Sequence, residues 1–130
     1  MAQPTILVVD DDPSSLKLVQ SILSSNGYDV VTAKGGEEVE GKIKSKTPDL
    51  VIMDLIMPEV GGSDAVKILQ KNPAAKNIPI IFLTGVMTTD VESGVSFDVQ
   101  VDDKTYKTFS KPVQSKILLK EINSILGNKK

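Results

Sequence analysis

The sequence predicts an α/β fold in which a parallel sheet carries helices on both faces, and three observations lead there. Runs rich in Val, Ile and Leu recur at Thr5–Val9, Tyr28–Ala33, Leu50–Asp54 and Ile78–Leu83; continuous apolar runs of this kind suit strands covered on both sides. Segments with apolar residues at helical spacing lie between them. Strand alternating with helix at this spacing argues right-handed crossovers within one sheet. Five strands and five helices fit the 130 residues as a single domain over 1–130.

Each element has a local reason. Thr5–Val9 is β-branched and apolar and stops at Asp10-Asp11-Asp12. Pro13 then suits a first helical position with Asp12 as cap, and Leu16, Val19, Ile22 and Leu23 recur until Gly27 ends the helix. Gly35-Gly36 opens a short second helix carrying Val39 and Ile43, closed by Thr47-Pro48. The third strand ends on Asp54, after which Met57-Pro58 and Gly61-Gly62 break the pattern. Ser63 or Asp64 is the expected cap of a third helix with Ala65, Val66, Ile68 and Leu69 facing inward. The fourth strand ends at Thr84-Gly85. Between Val86 and Tyr106 the pattern weakens: Thr88–Gly94 suits at most a short or irregular fourth helix, whereas Phe97, Val99 and Val101 alternate like a strand. A fifth strand near Tyr106–Ser110 and an amphipathic helix over Gln114–Leu126 complete the chain.

Composition narrows the chemistry. The chain has no Cys and no His, which removes disulfides, thiol and imidazole catalysis, and ordinary zinc sites. All fifteen cationic residues are lysine, so the bidentate clamp that arginine offers phosphate or guanine is missing. A net charge of −2 supplies no basic field for nucleic acid. No apolar run is long enough to span a bilayer and no secretory leader pattern is present, so a cytoplasmic protein without membrane attachment is expected.

The polar residues fall at strand ends. Asp10 and Asp11 follow the first strand, Asp54 ends the third, Thr84 ends the fourth and Lys111 follows the fifth. In open α/β sheets ligands bind beyond the carboxyl ends of the strands. Converging carboxylates repel unless a cation joins them, and oxygen ligands with phosphate oxygens nearby suit Mg²⁺. A carboxylate nucleophile, a bridging metal, a hydroxyl and an ammonium are the parts needed to move a phosphoryl group onto a carboxylate. Gly61-Gly62 reads as turn chemistry, since no phosphate-loop pattern accompanies it.

With these blocks in view, the sequence resembles the receiver domains of two-component response regulators, the CheY-like family. Ile6-Leu7-Val8-Val9-Asp10-Asp11-Asp12-Pro13, Met53-Asp54-Leu55-Ile56-Met57-Pro58, Phe82-Leu83-Thr84-Gly85 and Lys111-Pro112 carry the likeness, which spans essentially the whole chain. The resemblance implies a doubly wound, flavodoxin-like sheet of strand order 2-1-3-4-5. It implies Asp54 as phosphoacceptor, with Asp10, Asp11, Asp54 and the Ile56 carbonyl around Mg²⁺, and Thr84 and Lys111 engaging the phosphoryl group. It also implies a sensor histidine kinase or phosphotransfer protein as donor, and a downstream protein partner on the face of the fourth helix, fifth strand and fifth helix. The protein would then be a phosphorylation-operated switch of a two-component system or phosphorelay rather than a turnover enzyme, either free-standing or part of a longer chain.

Two departures from the family pattern fall on that output face. Thr108 stands three residues before Lys111, where the family usually has Tyr or Phe, with Tyr106 and Phe109 out of register, and the interval from Thr84 to Lys111 is longer than usual. Ile56 and Val86, two residues after Asp54 and Thr84, are apolar and cannot orient water, so slow self-dephosphorylation is expected. Two other readings compete. A pseudo-receiver would bind partners without phosphorylation. A haloacid-dehalogenase-type phosphatase would use Asp10 as nucleophile and Asp12 as acid/base, but it leaves Asp54 without a role.

Overall fold

A computed structural model of the chain describes residues 3–55, 61–73, 75–84, 96–101, 104–110 and 115–127. Six strands form one sheet: β1 (Thr5–Val9), β2 (Asp29–Ala33), β3 (Leu50–Asp54), β4 (Ile80–Thr84), β5 (Ser96–Val101) and β6 (Lys104–Ser110). Four helices are described, α1 (Pro13–Ser24), α2 (Val39–Ser45), α3 (Gly62–Gln70) and α4 (Ser115–Leu126), with a 3₁₀ turn at Gly36–Glu38 leading into α2. The spatial order is β2-β1-β3-β4-β6-β5. The first five strands of that row are parallel and reproduce the expected 2-1-3-4-5 order, with β6 in the fifth place. Beyond them β5 is an additional, antiparallel edge strand paired with β6 from Ser96↔Phe109 to Val101↔Lys104. This strand occupies part of the long interval before Lys111, and the Phe97-Val99-Val101 alternation belongs to it. The segment 85–95, where a fourth helix was expected, lies outside the described residues.

Side chains alternate across each buried strand, so one sheet closes two cores. Leu7, Val9, Val51, Met53 and Phe82 point to a layer shared with α2 and α3. Ile6, Val8, Leu50, Ile52, Ile81, Leu83 and Phe109 point to the opposite layer, where α1 supplies Val19 and Leu23 and α4 supplies Leu118, Ile122 and Leu126. Strands β1, β3 and β4 are buried along their whole length, which is why they read as unbroken apolar runs.

The helix ends follow local chemistry. Asp12 caps α1 by accepting from the Ser14 N–H, with Pro13 in the first turn. Gly27 stops that region in the left-handed conformation at φ 86°, which a side chain would strain. One expectation is corrected: α3 is capped at Gly61, without a side-chain cap bond, and neither Ser63 nor Asp64 does this. The helix begins at Gly62, one turn earlier than its first buried residues suggest, so both Ser63 and Asp64 are already inside it.

Candidate functional site

Strand register builds the site. In the β1–β3 ladder Val9 pairs with Met53, so Asp10 and Asp54 are neighbours one step further along. In the β3–β4 ladder Asp54 pairs with Leu83, and Thr84 follows. Thr84 pairs in turn with Ser110 at the end of β6. Asp10, Asp54 and Thr84 therefore gather at the carboxyl edge of the sheet, where an open α/β sheet binds its ligands. The chain continues from Ser110 to Lys111, which lies outside the described residues, as does Ile56.

Burial and charge set this edge apart. Asp10 is 2% exposed, Asp54 5% and Thr84 1%, whereas Asp11 is exposed. One carboxylate oxygen from each of Asp10, Asp11 and Asp54 lies within 4.8 Å of the others. Between the two buried carboxylates, repulsion at that spacing is on the order of 3 kcal/mol at an effective dielectric of ~20. Such an arrangement is stabilised by a cation. Three oxygens this close could draw in around a small divalent ion such as Mg²⁺, whose oxygen ligands stand at about 2.1 Å from the metal. The residues fit a hard, oxygen-seeking metal.

Local backbone holds these carboxylates in place. The Asp10 N–H donates to the Ala33 carbonyl at 3.1 Å, and Asp10 Oδ1 accepts from the Asp12 N–H at 2.9 Å. The Leu55 N–H donates to the Leu83 carbonyl at 2.7 Å, extending the β3–β4 ladder past Asp54. Beside the cluster opens a cleft of about 320 Å³ bordered by Asp11, Pro13, Leu16, Lys17 and Lys34. Lys17 and Lys34 were not among the sequence-based candidates, since an isolated lysine on a helix or after a strand carries no spacing signal.

The family model of the response regulator receiver domain matches residues 6–123. The chain belongs to the response regulator receiver family. A receiver is a phosphoacceptor switch in two-component signalling rather than a turnover enzyme. This receiver is 33% identical to the protein PilH of Pseudomonas aeruginosa, over 94% of this chain and 97% of that one. It is 35% identical to the alkaline phosphatase synthesis transcriptional regulatory protein PhoP of Bacillus subtilis, over 81% of this chain but 42% of the relative. Among solved structures, chemotaxis protein CheY4 of Vibrio cholerae superposes with a TM-score of 0.79 at 27% identity, covering 96% of this chain and all of that one.

The departures at the far side of this receiver now have coordinates. Thr108 is fully buried beside Phe82 of β4, and its hydroxyl donates to the Tyr106 carbonyl at 3.4 Å. Tyr106, two residues earlier, packs on the same layer: its ring meets Phe82 edge-on at 5.6 Å, and its hydroxyl accepts from Gln70 Nε2 of α3 at 2.7 Å. Phe109 turns to the opposite layer with α4. The aromatic ring on the Thr108 face therefore sits one strand repeat further from the site and is tied to the end of α3.

Proposed function

We propose that this receiver takes a phosphoryl group on Asp54 from a phosphohistidine and switches a partner-binding surface. The single observation that carries this reading is the convergence of Asp10, Asp11 and Asp54 within 4.8 Å at the carboxyl edge of the sheet. These 130 residues hold no histidine, so the phosphohistidine lies outside them, on a sensor histidine kinase or phosphotransfer protein. A cytoplasmic place of action goes with that donor.

The roles follow from position. Asp10 and Asp11 would hold Mg²⁺ together with Asp54 and the Ile56 carbonyl; the metal, when bound, neutralises charge on the incoming phosphoryl oxygens. A carboxylate oxygen of Asp54 attacks phosphorus as the bond to the donor imidazole breaks, and the released imidazole takes up a proton. Thr84 follows Leu83, the partner of Asp54 on the neighbouring strand, and its hydroxyl would donate to a phosphoryl oxygen. Lys111, the residue after Ser110, supplies the ammonium. The new group adds about −1.5 to −2 charge and draws these two toward it. A downstream protein would read the change on the face of the helix expected within Thr88–Gly94, β6 and α4; on α4, Ile117 is 36% exposed. The domain boundary 1–130 belongs to the same reading.

The test is labelling with acetyl phosphate in Mg²⁺ buffer. Wild type is expected to incorporate one phosphoryl group and Asp54→Asn none; equal labelling of the variant would reject Asp54. Because Ile56 and Val86 bring no polar group toward an attacking water, the acyl phosphate should persist well beyond seconds once donor is removed. Steady turnover of a small phosphate ester would instead favour the phosphatase reading.

A further inference from the structure

The helix α3 is held at both of its ends by neighbours of the site. At its start it stands against the residue after Asp54: a Cβ on the Gly61 cap would meet the Leu55 carbonyl oxygen at 3.4 Å. At its end Gln70, the last residue of α3, donates from Nε2 to the Tyr106 hydroxyl at 2.7 Å. Lys71 and Asn72 then close the helix, their N–H groups donating to the Ile68 and Leu69 carbonyls at 3.2 and 3.0 Å.

The second hold runs back to Thr84 along one face of the sheet. Phe82 and Tyr106 pack in the layer shared with α2 and α3. Thr84, two residues past Phe82, and Thr108, two past Tyr106, share that face by strand alternation. Phe82 meets Tyr106 edge-on at 5.6 Å. Thr108, opposite Phe82 in the ladder, is fully buried with its hydroxyl on the Tyr106 carbonyl. The path from Thr84 to α3 is therefore short: Phe82, Tyr106, Gln70. The hydrogen bond that ends it lies at the short end of the normal N–H···O range, so a displaced ring can only lengthen or misalign it. Close-packed layers answer a push by changing between discrete arrangements rather than by deforming smoothly.

We propose that the Tyr106–Gln70 hydrogen bond is a latch on α3 that the charge on Asp54 releases. The latch is closed in this structure. When Asp54 takes up the phosphoryl group and draws Thr84 toward it, Phe82 re-seats, Tyr106 turns from Gln70 and the last turn of α3 is freed. Tyr106 and Gln70 are positioning residues, since they touch no reacting atom. The inference rests on Asp54 as phosphoacceptor and adds α3 to the elements that report its charge.

The test is hydrogen exchange of the Lys71 and Asn72 amides by NMR, with and without acetyl phosphate labelling, the label being counted by mass on the same samples. In wild type, labelling should speed exchange at these amides about fivefold, the contribution of one neutral hydrogen bond. Tyr106→Phe keeps the ring and removes the hydroxyl. It should raise the unlabelled rate by a similar factor and leave labelling with no further effect, and Gln70→Met should do the same. A bond with a structural role alone would be present in both states, so the two effects would multiply; that result would overturn the latch. Labelled wild type with unchanged exchange would overturn it too. Wild type that takes no label would remove Asp54 as acceptor, and the latch with it.

Discussion

The two halves of the sheet are built on different terms. From β2 to β3 every strand is parallel, and Asp10 and Asp54 arrive together because register leaves them no other place. From β4 outward the sheet ends in a parallel strand and an antiparallel hairpin, and the buried position beside Phe82 holds Thr108 instead of an aromatic ring. The contrast teaches that the chemistry of accepting a phosphoryl group and the means of reporting it are separable. The first needs oxygens within ångströms of one another. The second needs only two packings of similar energy, which many side-chain arrangements can supply.

Phe82 sits on the seam between these halves, fully buried with Tyr106 against its edge. Phe82→Ala should cost about 3–5 kcal/mol of stability, measured by urea unfolding, and the transition should stay single. Two separated transitions would show that the halves unfold independently and make the contrast sharper still.

Next in size, removing charge from the metal-facing side should leave the reporting half intact. Asp11→Asn is expected to slow acetyl phosphate labelling about 100-fold, and chelation of divalent metal should do the same to wild type, while β6 methyl and amide signals remain in place. Retained labelling under chelation would break the assignment of Asp10 and Asp11 to a metal.

On the reporting side, Tyr106→Phe deletes the hydroxyl that accepts from Gln70 at 2.7 Å. Stability should fall by about 1 kcal/mol, labelling should be unchanged, and the phosphorylation-induced shifts of α3 signals should shrink. Unaltered α3 shifts would remove Tyr106 from the readout.

The smallest effect concerns Tyr28, whose hydroxyl donates to Asn123 at 2.8 Å. Burial holds its pKa above the ordinary 10.0. The folded protein thus keeps this proton more tightly than the unfolded chain. Its contribution is fully present below the ordinary value and is lost as pH rises through the raised one. Tyr28→Phe should flatten that alkaline loss of stability without touching labelling.

Much of this was legible before any coordinates. Buried parallel strands write themselves as unbroken Val/Ile/Leu runs, so β1, β3 and β4 and the polar residues at their ends could be placed from sequence. Asp12, Pro13 and Gly27 announced the bounds of α1. The Gly61 cap was missed because it makes no side-chain cap bond, so it leaves no side-chain signature. The pairing of β5 was only hinted at, since a strand of six residues with Phe97, Val99 and Val101 on one parity does not say whether its neighbour runs with or against it. The placement of Tyr106 on α3 depends on a contact between residues 36 apart, which no local pattern encodes.

The hairpin has a kinetic meaning as well. Val101 faces Lys104 across a connection of two residues, whereas β1 and β2 are joined only after α1, and β3 and β4 only after α3. Short-range closure of this kind takes microseconds in isolated hairpins, and low sequence separation speeds assembly. The far border of the sheet can thus zip early and present β6 to β4 already braced, so that the last parallel seam closes between two preformed ribbons.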